Sequence, residues 1–227
     1  MHTIDAHKNI MKINKTIAER NRKIFAQNKV FAINIMGATG SGKTIMVETL
    51  SKKLKSKFKI KALVGDIVSK VDANRIKNTG IEAKGINTGT ECHLDSHLIS
   101  HAIEDMDLKD TDLLLIENVG NLICPTDFDL GEHKRIVVVS SSEGDDTVEK
   151  HPMIFLTADL CIINKTDIAD AVNADVEKMA DDAKKINPRI KVFKTSFKNG
   201  DGIDGVTNWI VKYMDEYKQN NKSKIEL

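Results

Sequence analysis

Eight consecutive residues, Gly37-Ala38-Thr39-Gly40-Ser41-Gly42-Lys43-Thr44, match the phosphate-binding pattern GxxxxGK[ST] at every fixed position. Glycines let a backbone close around phosphate oxygens, so that several N–H groups and the positive end of the following helix face the anion. In such a loop Lys43 reaches the β- and γ-phosphates and Thr44 offers its hydroxyl to Mg²⁺. The competing reading is a glycine-rich turn beside a chance lysine. Context argues against it. A β-rich run at 30–36 precedes the loop, and Met46, Val47, Leu50, Leu54 and Phe58 recur at helical spacing after it.

Mg²⁺ takes oxygen ligands and bridges the β- and γ-phosphates, so carboxylates near strand ends are its natural partners. Asp66 closes a strand expected at 60–65, Glu117 follows the apolar run 113–116, and Asp72 lies in the segment between. For Asp72 the plainer alternative is an acid at a helix start. Catalysis is therefore expected from Lys43, Thr44, Asp66 and Glu117. Glu117-x-x-Gly120 stands where many switch proteins have Asp-x-x-Gly, and no glutamine follows to position water, so intrinsic hydrolysis should be slow.

Asn164-Lys165-Thr166-Asp167 has the NKxD form that reads guanine. A carboxylate at Asp167 accepts from the ring N–H and exocyclic amine together, a donor pair that adenine lacks. Ser196, at a later strand end, is expected to aim backbone N–H groups at the base carbonyl. The nucleotide is accordingly GTP or GDP.

Cys92 and His93 are adjacent, His97 lies one turn beyond, and Cys124 follows the presumed second switch. Thiolate with imidazole suits Zn²⁺ or Ni²⁺. On spacing alone the alternative stays open, because free cysteines often serve as small core residues and helix-surface histidines are common. Cys161, flanked by Leu160, Ile162 and Ile163, is expected in the core.

The elements that must position these groups alternate strand and helix throughout, which predicts an α/β fold: three layers, a mostly parallel sheet with helices on both faces, of the P-loop NTPase kind. An amphipathic helix at about 6–27, carrying Ile10, Ile13, Ile17, Ile24 and Phe25, is expected to pack on the sheet or on a second subunit. The division is then 1–28 for this helix, 29–218 for the nucleotide domain and 219–227 for a frayed polar tail. Further expectations are a helix from about 94 to 106 whose first turn carries His93 and His97, a structureless acidic loop at 143–150, and helices at 172–186 and around 206–214. The chain of 227 residues has a formal net charge of +1 with both signs interspersed, so nucleic acid is not an expected partner. No apolar run reaches membrane-spanning length and three cysteines do not make a disulfide framework, so a cytoplasmic protein is expected.

The loop at 37–44, Gly65-Asp66, INTGTECHLD at 86–95, ENVGNLICP at 117–125 and NKTD at 164–167 together resemble the hydrogenase nickel-incorporation GTPase family HypB, across nearly the whole chain. That family is grouped with the urease accessory GTPase UreG among dimerising P-loop GTPases. The resemblance implies nickel insertion during [NiFe]-hydrogenase maturation, beside a HypA-type metallochaperone and the hydrogenase large-subunit precursor. It also implies that Cys92, His93 and Cys124 are metal ligands, with His97 nearby. A homodimer favoured by GTP and metal follows from an open site on switch loops. Three other functions remain in view: a urease-type insertion GTPase, whose loop usually reads Cys-Pro-His, a signalling switch with a structural zinc or none, and a metal buffer whose GTPase is incidental. With only His2 and His7 early in the chain, no N-terminal nickel store is expected.

Overall fold

The computed structural model describes residues 2–66 and 71–223, with side chains described for 8–65 and 71–221. Helix α1 (His2–Gln27) leads into strand β1 (Phe31–Met36), which is buried at every position. The order continues α2 (Lys43–Leu54), β2 (Ile60–Asp66), α3 (Val71–Lys77), β3 (Glu82–Asn87), α4 (Ser96–Glu104), β4 (Leu113–Glu117) and β5 (Lys134–Ser140). It ends with α5 (Thr147–Lys150), α6 (Pro152–Thr157), β6 (Leu160–Asn164), α7 (Val176–Ile186), β7 (Lys191–Lys194) and α8 (Ile203–Ser223). Every strand pairing is parallel, in the order β3-β2-β4-β1-β5-β6-β7. The expected three-layer α/β fold is present.

Period-two alternation assigns the layers. Ile33 and Ile35 of β1, with Leu113 and Leu115 of β4, face α2, α3 and α8. Ala32 and Leu114 face α1 and α4, while Met36, Val137 and Cys161 face α6 and α7. Cys161 is fully buried, and burial pushes its thiol far above the usual range. With both faces covered, β4 reads as an unbroken apolar run rather than an alternating one. Crossovers between parallel strands leave all the strand C-termini at one end, where β1 runs into the phosphate loop between its neighbours β4 and β5.

Several expectations are corrected. The α1 stripe docks only in part: Phe25 is buried and Ile24 packs on the core as expected, but Ile10 and Ile13 are 55% and 60% exposed, and the rest of the buried face is Asn14, Ala18 and Asn21. The surface that receives α1 explains the choice, since it presents backbone groups as well as carbon. Asn14 Nδ2 donates to Asp129 O at 2.9 Å and Asn14 Oδ1 accepts from Ser96 N at 2.9 Å. Asn21 Nδ2 donates to Ser96 O at 2.8 Å and Leu130 O at 3.1 Å, and Arg22 forks onto Asp129. Buried amides thus complete groups that isoleucine would leave unpaired.

Helix α4 begins at Ser96, not near 93, because Asp95 caps it by accepting from Leu98 N at 2.7 Å. His93 therefore sits in a loop. The acidic segment is not structureless: a Ser140–Glu143 capping box opens a 3₁₀ turn, and α5 and α6 follow. Helix α7 starts at Val176, where Asp175 caps it. Helix α8 runs on to Ser223 through part of the expected tail, while residues 224–227 lie outside the described residues.

Replacing Asn21 by Ala leaves Ser96 O and Leu130 O without their partner, and should cost about 1–3 kcal/mol of stability. Urea unfolding of the two proteins measures it, and a loss below the error of the midpoint would remove the structural role given to this amide.

Candidate nucleotide and metal site

The loop at 37–44 borders a cavity of about 460 Å³ walled by Thr39, Lys43, Thr44, Asp72, Glu117 and Gly120 among others. Gly42 has φ +111° and a Cβ there would meet Asn164 Nδ2 at 2.2 Å, so the turn into α2 needs a glycine. On the other wall a Cβ at Gly120 would strike Thr39 Oγ1 at 2.1 Å, so the segment after β4 closes directly onto the phosphate loop. Lys43 Nζ donates to Gly37 O at 3.0 Å and Ala38 O at 2.9 Å. Its burial lowers the ammonium pKa, and Glu117, Glu143 and Asp72 oppose that shift.

Thr44 Oγ1 donates to Glu117 Oε1 at 2.6 Å, while Glu117 Oε2 is buried with no hydrogen-bond partner among the described residues. Burial raises the Glu117 pKa to about 7, against the lowering effects of Thr44 and Lys43. A buried orphan oxygen beside a hydroxyl and a phosphate loop is the donor set a hard divalent cation completes. Asp72, in the first turn of α3, lines the same cavity and pairs with Arg75 at 3.2 Å, and Arg75 is also held by Glu48 at 3.0 Å. The Asp66 backbone ends β2 beside Asn87 of β3, and its side chain lies outside the described residues.

A second cavity of about 280 Å³ adjoins the first through Gly42, Ile45 and Lys165, and holds Asp167, Phe197 and Lys198. Asp167 is exposed, with no hydrogen bond or ion pair to its carboxylate among the described residues. Asn164 is already committed: Nδ2 donates to Ser41 O at 2.9 Å, and Oδ1 accepts from Phe197 N at 3.3 Å. It fixes the β6 end to the phosphate loop. Lys165 takes the left-handed conformation, φ 60° and ψ 36°, and its carbonyl accepts from Ser141 Oγ. Ser196 differs from its expected role: its own N–H donates to Asp201 O and the next N–H to Asn164, so neither is free for a base.

Cys92, His93 and Cys124 come together from two loops, with ligand atoms all within 4.8 Å of one another. Cys92 Sγ lies 2.8 Å from Cys124 Sγ and 3.9 Å from His93 Nδ1. The hydrogen bond to Cys124, then burial, pushes the Cys92 thiol up, so a cation must displace a proton to gain a thiolate. Burial lowers the His93 pKa and so favours the neutral imidazole, the form that binds metal. Phe128 stacks on this ring, centroids 3.8 Å apart and planes at 29°. His97 does not join the three. It projects from the exposed face of α4, and its Nε2 lies 3.1 Å from His101 Nε2.

Two hydrogen-bonded routes connect the cavities with these ligands. Next to Glu117, Asn118 Oδ1 accepts from Leu94 N at 3.0 Å, one residue after His93, while its amide donates to Asn34 Oδ1 at 3.2 Å. Asn121 N donates to Gly37 O at 3.1 Å, the carbonyl that also receives Lys43, and Asn121 Oδ1 accepts from Cys124 N at 3.3 Å. Sequence reasoning missed Asn118, Asn121, Phe128 and Arg75. One sign was available: Asn34 is a fully buried amide in the middle of an apolar strand, which obliges it to have polar partners nearby.

Residues 31–194 match the family model described as CobW/HypB/UreG, nucleotide-binding domain. The chain is 54% identical over 215 residues to a probable hydrogenase maturation factor HypB of Methanocaldococcus jannaschii, covering 95% of this chain and 97% of that one. A crystal structure of the hydrogenase maturation factor HypB from Archaeoglobus fulgidus is similar at TM-score 0.85 and 51% identity, over 89% of this chain and 99% of that one. HypB from Helicobacter pylori, crystallised in complex with nickel, is similar at TM-score 0.85 and 34% identity, over 89% and 95%.

The Glu117 proton gives a pH test. A carboxyl with its folded pKa raised from 4.5 to about 7 contributes stability that is fully present below 4.5 and is lost as pH rises through 7. Converted, that shift is at most about 3 kcal/mol. Glu117→Gln should therefore gain stability relative to the unmutated, metal-free and nucleotide-free protein as pH rises across this window. Parallel stability curves in urea would remove the buried-proton assignment.

Proposed function

The chain belongs to the HypB branch of the CobW/HypB/UreG nucleotide-binding family, and from that premise we propose that it is a GTP-hydrolysing metallochaperone delivering nickel during [NiFe]-hydrogenase maturation. The observation that carries the reading is the double hydrogen-bonded connection, through Asn118 and Asn121, between the phosphate cavity and the loops that bear Cys92, His93 and Cys124. Nucleotide and metal then act on one two-state element.

Lys43 exchanges its Gly37 and Ala38 carbonyls for β- and γ-phosphate oxygens and neutralises charge that builds up on transfer. Mg²⁺, held by Thr44 and Glu117 with Asp66 and Asp72 as further carboxylates, supplies electrostatic stabilisation of the phosphates when bound. Asp167 faces the purine slot with its carboxylate unpaired and selects guanine, while Asn164 fixes the slot. The residue after Gly120 is Asn121, whose amide oxygen is tied to the Cys124 turn, and no glutamine stands there to orient the attacking water, so intrinsic turnover is slow. Phosphate loss releases the segment after β4 and with it the metal loops.

Nickel, or zinc in its place, is the cargo. Cys92, His93 and Cys124 offer three half-buried donors, which leaves a tetrahedral or square-planar ion open to a further ligand. Completion by the same residues of a second copy gives a GTP- and metal-favoured homodimer, and transfer partners are a HypA-type nickel carrier and the hydrogenase large-subunit precursor. The Helicobacter pylori relative named a hydrogenase/urease maturation factor, 34% identical over 94% of this chain, keeps urease as a second recipient to be assayed. A signalling switch with an inert structural zinc is the contrasting function.

Asp167→Asn should weaken GTP binding by roughly tenfold or more, through the lost carboxylate pairing, and improve binding of xanthosine triphosphate. Competition with a fluorescent nucleotide reads both changes. Equal competition by GTP and ATP in the unmutated protein would sink the guanine assignment.

The coupling is tested by Ni²⁺ and Zn²⁺ affinity, and by sedimentation, with GDP against a non-hydrolysable GTP analogue. A change of about 5–150-fold between the two nucleotides is expected, with the analogue favouring dimer. Asn118→Ala should shrink that ratio while both ligands still bind. Affinity and association indifferent to nucleotide would instead support the inert-zinc switch.

A further inference from the structure

Given the GTP-hydrolysing function proposed above, on which this assignment rests, we propose that Arg75 is a further catalytic residue, an arginine of the chain's own α3 whose open guanidinium edge binds oxygens of the γ-phosphate as its bond to GDP breaks.

Arg75 follows Asp72 by one turn of α3, and both line the phosphate cavity with Lys43, Thr44 and Glu117. It is the one arginine on that wall among the described residues. Its five N–H donors are unequally used. Nε donates to Glu48 Oε1 at 3.0 Å and Nη2 to Glu48 Oε2 at 3.2 Å, so a carboxylate of α2 holds one edge of the planar fork bidentately. Glu48 is not among the described residues that border the cavity, so this grip comes from outside it.

The other edge is barely occupied. Its one contact runs from Nη1 to Asp72 Oδ1 at 3.2 Å, the long end of the hydrogen-bond range. Two of the five N–H groups keep no partner among the described residues. A guanidinium anchored by one edge and open at the other suits a phosphate, whose paired oxygens match the fork as those of a carboxylate do. The single Asp72 contact gives way to it, while the Glu48 pair keeps the plane in place.

The reaction calls for such a group. The oxygen of water bonds to the γ-phosphorus, the bond from that phosphorus to the bridging oxygen breaks with its electron pair left on GDP, and the protons of the water pass to inorganic phosphate and solvent. Charge moves onto the bridging and equatorial oxygens during the transfer, and a fixed cation aimed at them lowers the barrier more than it tightens binding. Arg75 already acts on this cavity electrostatically, since its charge is among those that oppose the upward pKa shift of Glu117. It supplies charge and orients no water, so slow turnover without a glutamine is still expected.

The contrasting role is an ion pair that merely fastens α3 to α2. Single-turnover hydrolysis of GTP by the full chain separates the two, with GDP affinity read by displacement of a fluorescent nucleotide and folding by the urea midpoint. Arg75→Ala should lower the hydrolysis rate by about a hundredfold or more with GDP affinity nearly unchanged. Arg75→Lys keeps the charge but loses the fork, and should recover only a minor part of the rate even if the alanine variant fails to fold. Free guanidinium ion added to Arg75→Ala should raise its rate without raising GDP affinity. The assignment is overturned if either variant hydrolyses GTP within a few-fold of the unmutated protein. It is equally overturned if rate, GDP affinity and urea midpoint fall together and guanidinium restores nothing, the pattern of a lost ion pair. An unmutated protein that does not hydrolyse GTP would overturn the function beneath the assignment, whereas hydrolysis that ignores Arg75 overturns the assignment alone.

Discussion

The arrangement turns on one buried carboxyl. Glu117 closes β4 in the middle of the sheet, gives one oxygen to the Thr44 hydroxyl and keeps the other without a protein partner. Desolvation makes its charge costly and raises its pKa to about 7. A cation carried in with phosphates relieves that cost. The group stands at the end of a buried strand, from which the segment to Gly120 packs directly onto Thr39 of the phosphate loop.

Those loops are tied down in complementary ways. Asn118 bridges the β4 end to the His93 loop and to Asn34 of β1, and Asn34 in turn donates to Glu132 Oε1. Glu132 is buried and bound by Arg135 at 2.6 Å. Asn121 ties the phosphate loop to the Cys124 turn. Fully satisfied buried networks are stiff and specify one arrangement, whereas removing a single partner strands several others.

Helix α1 belongs to the same machinery. Its amides are spent on Ser96 and on residues 129–130, and those positions flank the metal loops on either side: Ser96 opens α4, and Asp129 follows Phe128, which covers His93. Its outer residues Ile10 and Ile13 remain exposed, because the inward face was chosen by hydrogen bonding and not by apolar area alone.

The sequence by itself determined the alternating fold and the phosphate loop, since local periodicity and fixed glycines are written in residue type and short spacing, whereas Cys92, His93 and Cys124 stood out as a ligand set only through a family resemblance, because their spacing left core thiols and a surface histidine open. It also settled Cys161, whose apolar neighbours left only a core role. It could not decide which face of α1 turns inward, because that depended on unpaired backbone groups far along the chain at 96 and 129–130. Nor could it separate His97 from the thiolates: a one-turn spacing from His93 was read on a helix, but the Asp95 cap puts His93 in a loop and directs His97 outward to His101. The roles of Asn118 and Asn121 were hidden for the same reason. A side-chain amide has no preferred partner in sequence, and only the parallel sheet, by bringing the ends of β1 and β4 side by side, brought the phosphate loop and the metal loops within reach of the hydrogen bonds that join them.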